Sequence, residues 1–263
     1  MNILEINGLT KKYSTALLAL DNLNLAVPRG SIFGFLGPNG AGKSTTINII
    51  AGLIRRSSGS INFSGIEISN MSFEYKRHIG FVLERPTYFE KLSGMEYLEF
   101  AGAMYDIGEG DIRTRAQELL EYFDLSEKRS ALIETYSNGM KKKISLAAAM
   151  IHHPQLLILD EPLEGMDPVS AVRTKEVLLD LKIRGTSVII ASHQLDSVEI
   201  LCDEIAIIDK GKNIFQSTIA GVRDIVRNEG TQERYGSLEA FFVDIIGNHG
   251  NHSHSSTISW LTP

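Results

Sequence analysis

The nine residues GPNGAGKST, Gly37 to Thr45, constrain what this chain can fold into more than any other stretch. They follow an apolar run ending in glycine, GSIFGFLG, and they open TTINIIAGLI, which has helical length and spacing. The local order is therefore strand, glycine-rich loop, helix. Gly37, Gly42, Lys43 and Ser44 satisfy the spacing G-x-x-x-x-G-K-[ST]. Small residues in such a loop let successive backbone N–H groups turn inward around a phosphate, and the helix behind it adds its positive end. Asn39, Gly40, Ala41 and Gly42 are thus candidates for cradling a phosphate chain. Lys43 is placed to reach the β- and γ-phosphate oxygens, Ser44 to put its hydroxyl on Mg²⁺, and Thr45 to meet the α-phosphate.

The rest of the chain reads as an α/β protein built around that loop. From Ile3 to Val27 two short runs, ILEINGL and LALDNLNLAV, predict an antiparallel strand pair, and SSGSINFSGIEI returns to turn and strand after the first helix. Between about Pro86 and His153 helical patterns dominate: GMEYLEFAGAMYDI, IRTRAQELLEYFDL and KKKISLAAAMIHH. QLLILDE is then a buried strand. DPVSAVRTKEVLLDLKIRG is a helix with Asp167 as N-cap, Pro168 at its first position and Gly185 at its end, and TSVIIASH is another strand. Alternation of this kind predicts a mostly parallel core sheet. DEIAIIDKGKNIFQ predicts a closing hairpin with Lys210-Gly211 in its turn, and the residues beyond Gly247 form a polar tail expected to be mobile.

Composition excludes several function classes. Among 263 residues, 26 Lys and Arg stand against 32 Asp and Glu, a net charge of −6, which argues against a nucleic-acid partner, whose phosphates call for a basic excess. The single Cys202 forms no internal disulfide, and MNILEINGLTKKY lacks the basic start and long apolar run of an export signal. No apolar run approaches the eighteen or so residues of a membrane span. A cytoplasmic chain that serves a membrane only through a partner is the expectation.

A second acidic feature joins the glycine-rich loop. LLILDEP sets Asp160 and Glu161 at the end of a buried apolar strand, where carboxylates are costly unless they serve a charge. In a phosphate-loop protein the first acid holds Mg²⁺, and a glutamate directly after it can act as general base toward water.

At this point the chain resembles the ATP-binding subunits of ABC transporters, from about Leu4 to Gln216. Tyr13, GPNGAGKST, the strand and loop GFVLERP, the turn YSNGM, LLILDEP, EGMD and ASH occur in that family's order. The resemblance implies a P-loop NTPase (RecA-like) core with an antiparallel β subdomain and an inserted α-helical subdomain. It implies an ATPase domain over residues 1–247, with the helical insertion at about 86–153 and the tail at 248–263. ATP and Mg²⁺ are the implied cofactors.

The same resemblance distributes roles. Tyr13 is similar to the aromatic that stacks on adenine, although a core tyrosine is the competing reading. Ser137 and Gly139 match the signature turn, which meets the γ-phosphate of an ATP held by the other subunit. Lys141 to Lys143 then lie on the helix behind the turn, mostly facing solvent. Glu161 matches the general base, and Lys43 and His193 match residues on the γ-phosphate. Asp167 matches the loop that crosses the dimer interface. The metal set is Ser44, Glu84 and Asp160. Implied partners are a second copy or a homologous ATPase and an integral membrane permease, docked on the helical insertion and Glu84, with no nucleic acid.

Departures from the family pattern bear on turnover. Glu84 stands where glutamine is usual, Tyr136, Asn138 and Met140 replace leucine, glycine and glutamine of the signature, and Glu164 replaces serine or asparagine. Asn tolerates a left-handed backbone, so the turn is expected to persist. A soluble ABC ATPase acting on the ribosome or DNA is the alternative, but such members join two modules or insert a long coiled coil, and neither pattern is present. His249, His252 and His254 in the tail are assigned no metal.

Overall fold

The computed structural model describes residues 1–14, 17–68, 73–84, 86–228 and 237–250. Strand β1 (Asn2–Lys12) pairs antiparallel with β2 (Leu18–Pro28), as the alternating runs predict. Strand β3 (Ile32–Leu36) is buried on both faces, leads into the glycine-rich loop and is followed by α1 (Lys43–Ile50). β4 (Ser58–Phe63) returns to the other edge of β1, and the short β5 (Ile66–Glu67) completes an antiparallel sheet of order β2-β1-β4-β5.

The chain then enters the main sheet through β6 (Ile79–Val82). Three helices follow in the predicted insertion, α2 (Gly94–Ala103), α3 (Glu109–Tyr122) and α4 (Asn138–Met150). A reciprocal capping box starts α2: Ser93 accepts from the Glu96 N–H and the Glu96 carboxylate accepts from the Ser93 N–H. β7 (Leu156–Asp160), α5 (Pro168–Ile183) and β8 (Ser187–Ser192) come next. Asp167 caps α5 as its sequence position predicts, its carboxylate accepting from the Ser170 N–H at 3.0 Å. After α6 (Leu195–Leu201), β9 (Glu204–Asp209) and β10 (Lys212–Thr218) form the closing hairpin. Its two turn residues, Lys210 and Gly211, both have positive φ, the twist a two-residue hairpin loop requires.

The main sheet has the order β10-β9-β3-β8-β7-β6, parallel throughout except for β10 at its edge. Strands β3, β7 and β8 are buried at every position, which explains why they read as unbroken apolar runs rather than alternating ones. Ile3, Leu4, Leu20 and Leu23 from the antiparallel sheet share one core with Phe33, Phe35, Leu156 and Ile158 from the parallel sheet. Because β3, β7 and β8 run in register, Leu36, Asp160 and Ser192 end at one edge of the sheet.

The described residues up to Ile219 form one compact unit, and those from Ala220 onward belong to a second. The second contains all but the first residue of α7 (Ile219–Asn228) and α8 (Leu238–Gly250). Helix α8 thus continues past Gly247, and the remainder of the tail, with His252 and His254, lies outside the described residues. Among the described residues no helix is long and apolar enough to cross a membrane.

Candidate functional site

Two glycines fix the path of the loop after β3. A Cβ on Gly37 would lie 2.3 Å from the Ile208 carbonyl oxygen, and Gly42, the N-cap of α1, has φ 114° and leaves 2.7 Å to Leu20 Cδ2. No other residue fits either position. Asn39 and Gly40 are exposed at the tip, Ala41, Gly42 and Lys43 are buried, and Ser44 and Thr45 are half-buried. The Lys43 ammonium folds back over the loop and donates to the carbonyls of Gly37 at 2.6 Å and Pro38 at 3.3 Å.

Ser44 donates its hydroxyl to Asp160, which is 4% exposed at the end of β7. Burial foremost, and then the charges of Glu84 and Glu161, push the Asp160 carboxyl above its ordinary value, against the Ser44 bond and Lys43. Burial lowers the Lys43 ammonium, while Glu161, Asp160 and Glu84 act in the opposite direction. Three carboxylates therefore act on one lysine at the mouth of the loop. Glu84 is exposed and so remains reachable from solvent. Among the described residues no three His, Cys, Asp or Glu side chains converge on a point that could hold a metal alone. A hydroxyl bonded to a buried carboxylate amid surplus negative charge is, however, a fitting partial shell for Mg²⁺, an ion that takes its remaining ligands from phosphate and water.

Next to this group stands Glu161. Its backbone adopts φ 49°, uncommon for a residue with a side chain, and its N–H donates to the Ala191 carbonyl at 2.9 Å. One carboxylate oxygen accepts from the Ser192 hydroxyl at 2.9 Å. The other accepts from the His193 N–H at 3.0 Å and faces His193 Nδ1 at 2.6 Å. The contact at Nδ1 fixes the imidazole ring, and Nε2 is the ring nitrogen left for another group. Ser192 escaped the sequence reading. The available signal was a small polar residue at a fully buried strand position directly before the histidine.

The signature turn is built by α4. Ser137 is its N-cap, accepting from the Met140 N–H at 3.2 Å, and it is exposed. The first N–H groups of a helix have no intrahelical acceptor, so this end presents donors and a hydroxyl outward. Asn138 is the first helical residue and does not have positive φ, so the left-handed tolerance expected of it is not needed. A Cβ on Gly139 would meet Asp167 Oδ2 at 3.5 Å and Ser170 Oγ at 3.6 Å, which packs the turn on the start of α5. Tyr136 replaces leucine at no loss of packing: it is 5% exposed and its hydroxyl donates to the Lys128 carbonyl at 2.8 Å.

One expectation is corrected. The three lysines after the turn do not mainly face solvent: all are half-buried, and each has a partner in a different segment. Lys141 pairs with Glu90 at 3.0 Å beside the Tyr88 ring, Lys143 lies 3.9 Å from Asp124, and Lys142 donates to backbone carbonyls of Glu161 and Glu164. Successive helical residues are turned by about 100°, so three in a row face three neighbours. Tyr13, by contrast, is 51% exposed beneath the Lys11 ammonium at 4.9 Å, which excludes the core reading.

Sequence comparison agrees with this geometry. The family model described as "ABC transporter" matches residues 20–164. The chain belongs to the ABC transporter family, as an ATP-binding, ATP-hydrolysing subunit. Among its ABC relatives, the linearmycin resistance ATP-binding protein LnrL of Bacillus subtilis (strain 168) is 41% identical over 212 residues, 81% of this chain and 68% of the relative. The daunorubicin/doxorubicin resistance ATP-binding protein DrrA of Streptomyces peucetius is 37% identical over 82% of this chain and 65% of its own length. A solved ATP-binding subunit of an ABC transporter superposes with a TM-score of 0.83 at 30% identity, covering 93% of this chain and 99% of that one. The ABC subunit cbiO1 of Clostridium perfringens gives 0.75 at 28% identity over 86% and 93% of the two chains.

Proposed function

We propose that two copies of this chain close around two ATP molecules and power export of an amphipathic antimicrobial or drug-like compound through a separate membrane subunit. In this reading Lys43 and the loop N–H groups from Asn39 to Thr45 hold the phosphates, and Tyr13 stacks on the base. Ser44, Asp160 and Glu84 would hold Mg²⁺, which supplies charge neutralisation at the β- and γ-phosphates when bound. Glu161 takes the proton from the attacking water, and His193, oriented through Nδ1, presents Nε2 toward the γ-phosphate. Ser137 and Gly139 complete the site from the other copy. Most of the catalysis is positioning and charge stabilisation of an in-line displacement.

The observation that carries this reading is the Glu161 carboxylate fixed by Ser192 and His193 at the same sheet edge as Lys43 and Asp160. Those contacts fix the position of the carboxylate before a substrate arrives. Resistance and export relatives support the cargo class. Assembly with further transporter subunits is supported by cbiO1, part of the ABC transporter complex cbiONQ, and attachment to a membrane subunit on its cytoplasmic face belongs to the same proposal. It is supported too by apolar side chains left outside around α2: Phe89 and Phe100 stack edge-on at 4.9 Å while 55% and 42% exposed, and Met104 is 68% exposed.

Steady-state hydrolysis by Glu161→Gln tests the assignment. Loss of a general base lowers turnover by about 10²–10⁴-fold, with nucleotide affinity kept. Turnover within threefold of the unaltered chain would remove Glu161 from the role.

A further inference from the structure

Lys142 differs from its two neighbours in what it holds. Lys141 and Lys143 face carboxylates that are 55% and 65% exposed, contacts that solvent screens and that contribute little. Lys142 instead donates from a half-buried position to two main-chain carbonyls, those of Glu161 at 2.9 Å and Glu164. The Glu164 N–H also donates to the Glu161 carbonyl at 3.3 Å, so residues 161–164 form a tight turn clasped by one ammonium. The first residue of that turn carries the left-handed backbone conformation of the site, a geometry that persists only where neighbours over-determine it. Burial lowers the Lys142 ammonium, and the nearby charges of Glu164 and Glu161 counter this.

Lys142 lies five residues after Ser137 on the same helix, a rise of about 7.5 Å. One rigid rod thus begins at the turn exposed for an anion and, one and a half turns later, grips the backbone of Glu161. We propose that Lys142 is a positioning residue that sets the backbone of Glu161 and transmits the placement of the signature turn to the carboxylate of its own chain. The carboxylate is pinned by Ser192 at the end of β8 and by His193 just after it, and the carbonyl is pinned to α4 by Lys142. A shift of α4 therefore rotates Glu161 about fixed points instead of letting it drift. The inference rests on the assignment of Glu161 above.

The full-length chain is tested as Lys142→Met, Lys142→Arg, Lys143→Met and Glu161→Gln, with kcat and KM for MgATP measured for each. Methionine keeps length and removes the donors; arginine restores donors to both carbonyls. The expected result is a kcat at least tenfold lower in Lys142→Met with KM within twofold, recovery to within threefold in Lys142→Arg, and no more than a twofold change in Lys143→Met. If Lys142→Met fails to fold, Lys142→Gln replaces it with the same thresholds. A kcat within twofold of the unaltered chain, an equal loss in Lys143→Met, a loss confined to KM, or no recovery with arginine overturns the inference. An active Glu161→Gln would defeat the assignment of the base, whereas an inactive Glu161→Gln beside an active Lys142→Met defeats only the role of Lys142.

Discussion

Asp160 and Lys43 are buried charges whose burial opposes the charged form of each, and in the nucleotide-free chain neither is fully compensated. The consequence for stability has a definite sign. An acid whose folded pKa is raised contributes stability at low pH, and that contribution is lost as pH rises through the folded value. Asp160→Asn should therefore raise the melting temperature of the nucleotide-free protein at pH 7, and the gain should shrink as pH falls toward 4. Thermal melts across that range check it, and a lower melting temperature at pH 7 would contradict it. In the same variant, MgATP should lose most of its protective effect, which at a hundred times Kd is worth about 2.7 kcal/mol. Lys43, Ser44, Asp160 and Glu161 were legible as candidates because phosphate and metal chemistry demand particular side chains at such positions, and His193 only through the resemblance to a family. Ser192 and Lys142 were not legible. Their importance comes from three-dimensional convergence on Glu161 across 31 and 19 residues, and no local pattern marks it.

Elements were readable where a period or a cap was strong. The three insertion helices, the Asp167-Pro168 start of α5 and the Lys210-Gly211 hairpin follow their local signals. What the local pattern left open was partnership: that β4 joins β1 and β2 in a separate antiparallel sheet, and that β6 adds to the edge of β7, depend on pairings between distant segments. The signature element shows how a departure is absorbed. Tyr136 fills the apolar position with its ring and satisfies its hydroxyl on Lys128. Tyr136→Phe should cost about 1 kcal/mol in chemical denaturation, the net worth of one part-buried hydrogen bond whose acceptor loses its donor. No change in the denaturation midpoint would show that bond to be idle. Gly80 sets a stricter limit on the same region. A Cβ there would lie 2.2 Å from the Ala149 carbonyl oxygen, so Gly80→Ala must part β6 from α4 and should destabilise by more than 2 kcal/mol, measured the same way.

For the whole molecule, the net charge of −6 remains the sequence's argument against a nucleic-acid partner, whose phosphates call for a basic excess. The proposed pairing of two chains is supported by the N-terminal end of α4, where Ser137 and Asn138 are exposed to a group outside the chain. If each ATP needs both chains, specific activity must rise with protein concentration, and Ser137→Arg must lose turnover while a single chain still binds ATP. Sedimentation velocity of Glu161→Gln with saturating MgATP tests this most directly. The account predicts conversion to a species of twice the monomer mass, absent with ADP and absent when Ser137→Arg is added. A monomer that persists under saturating MgATP, or a dimer indifferent to Ser137→Arg, would contradict it.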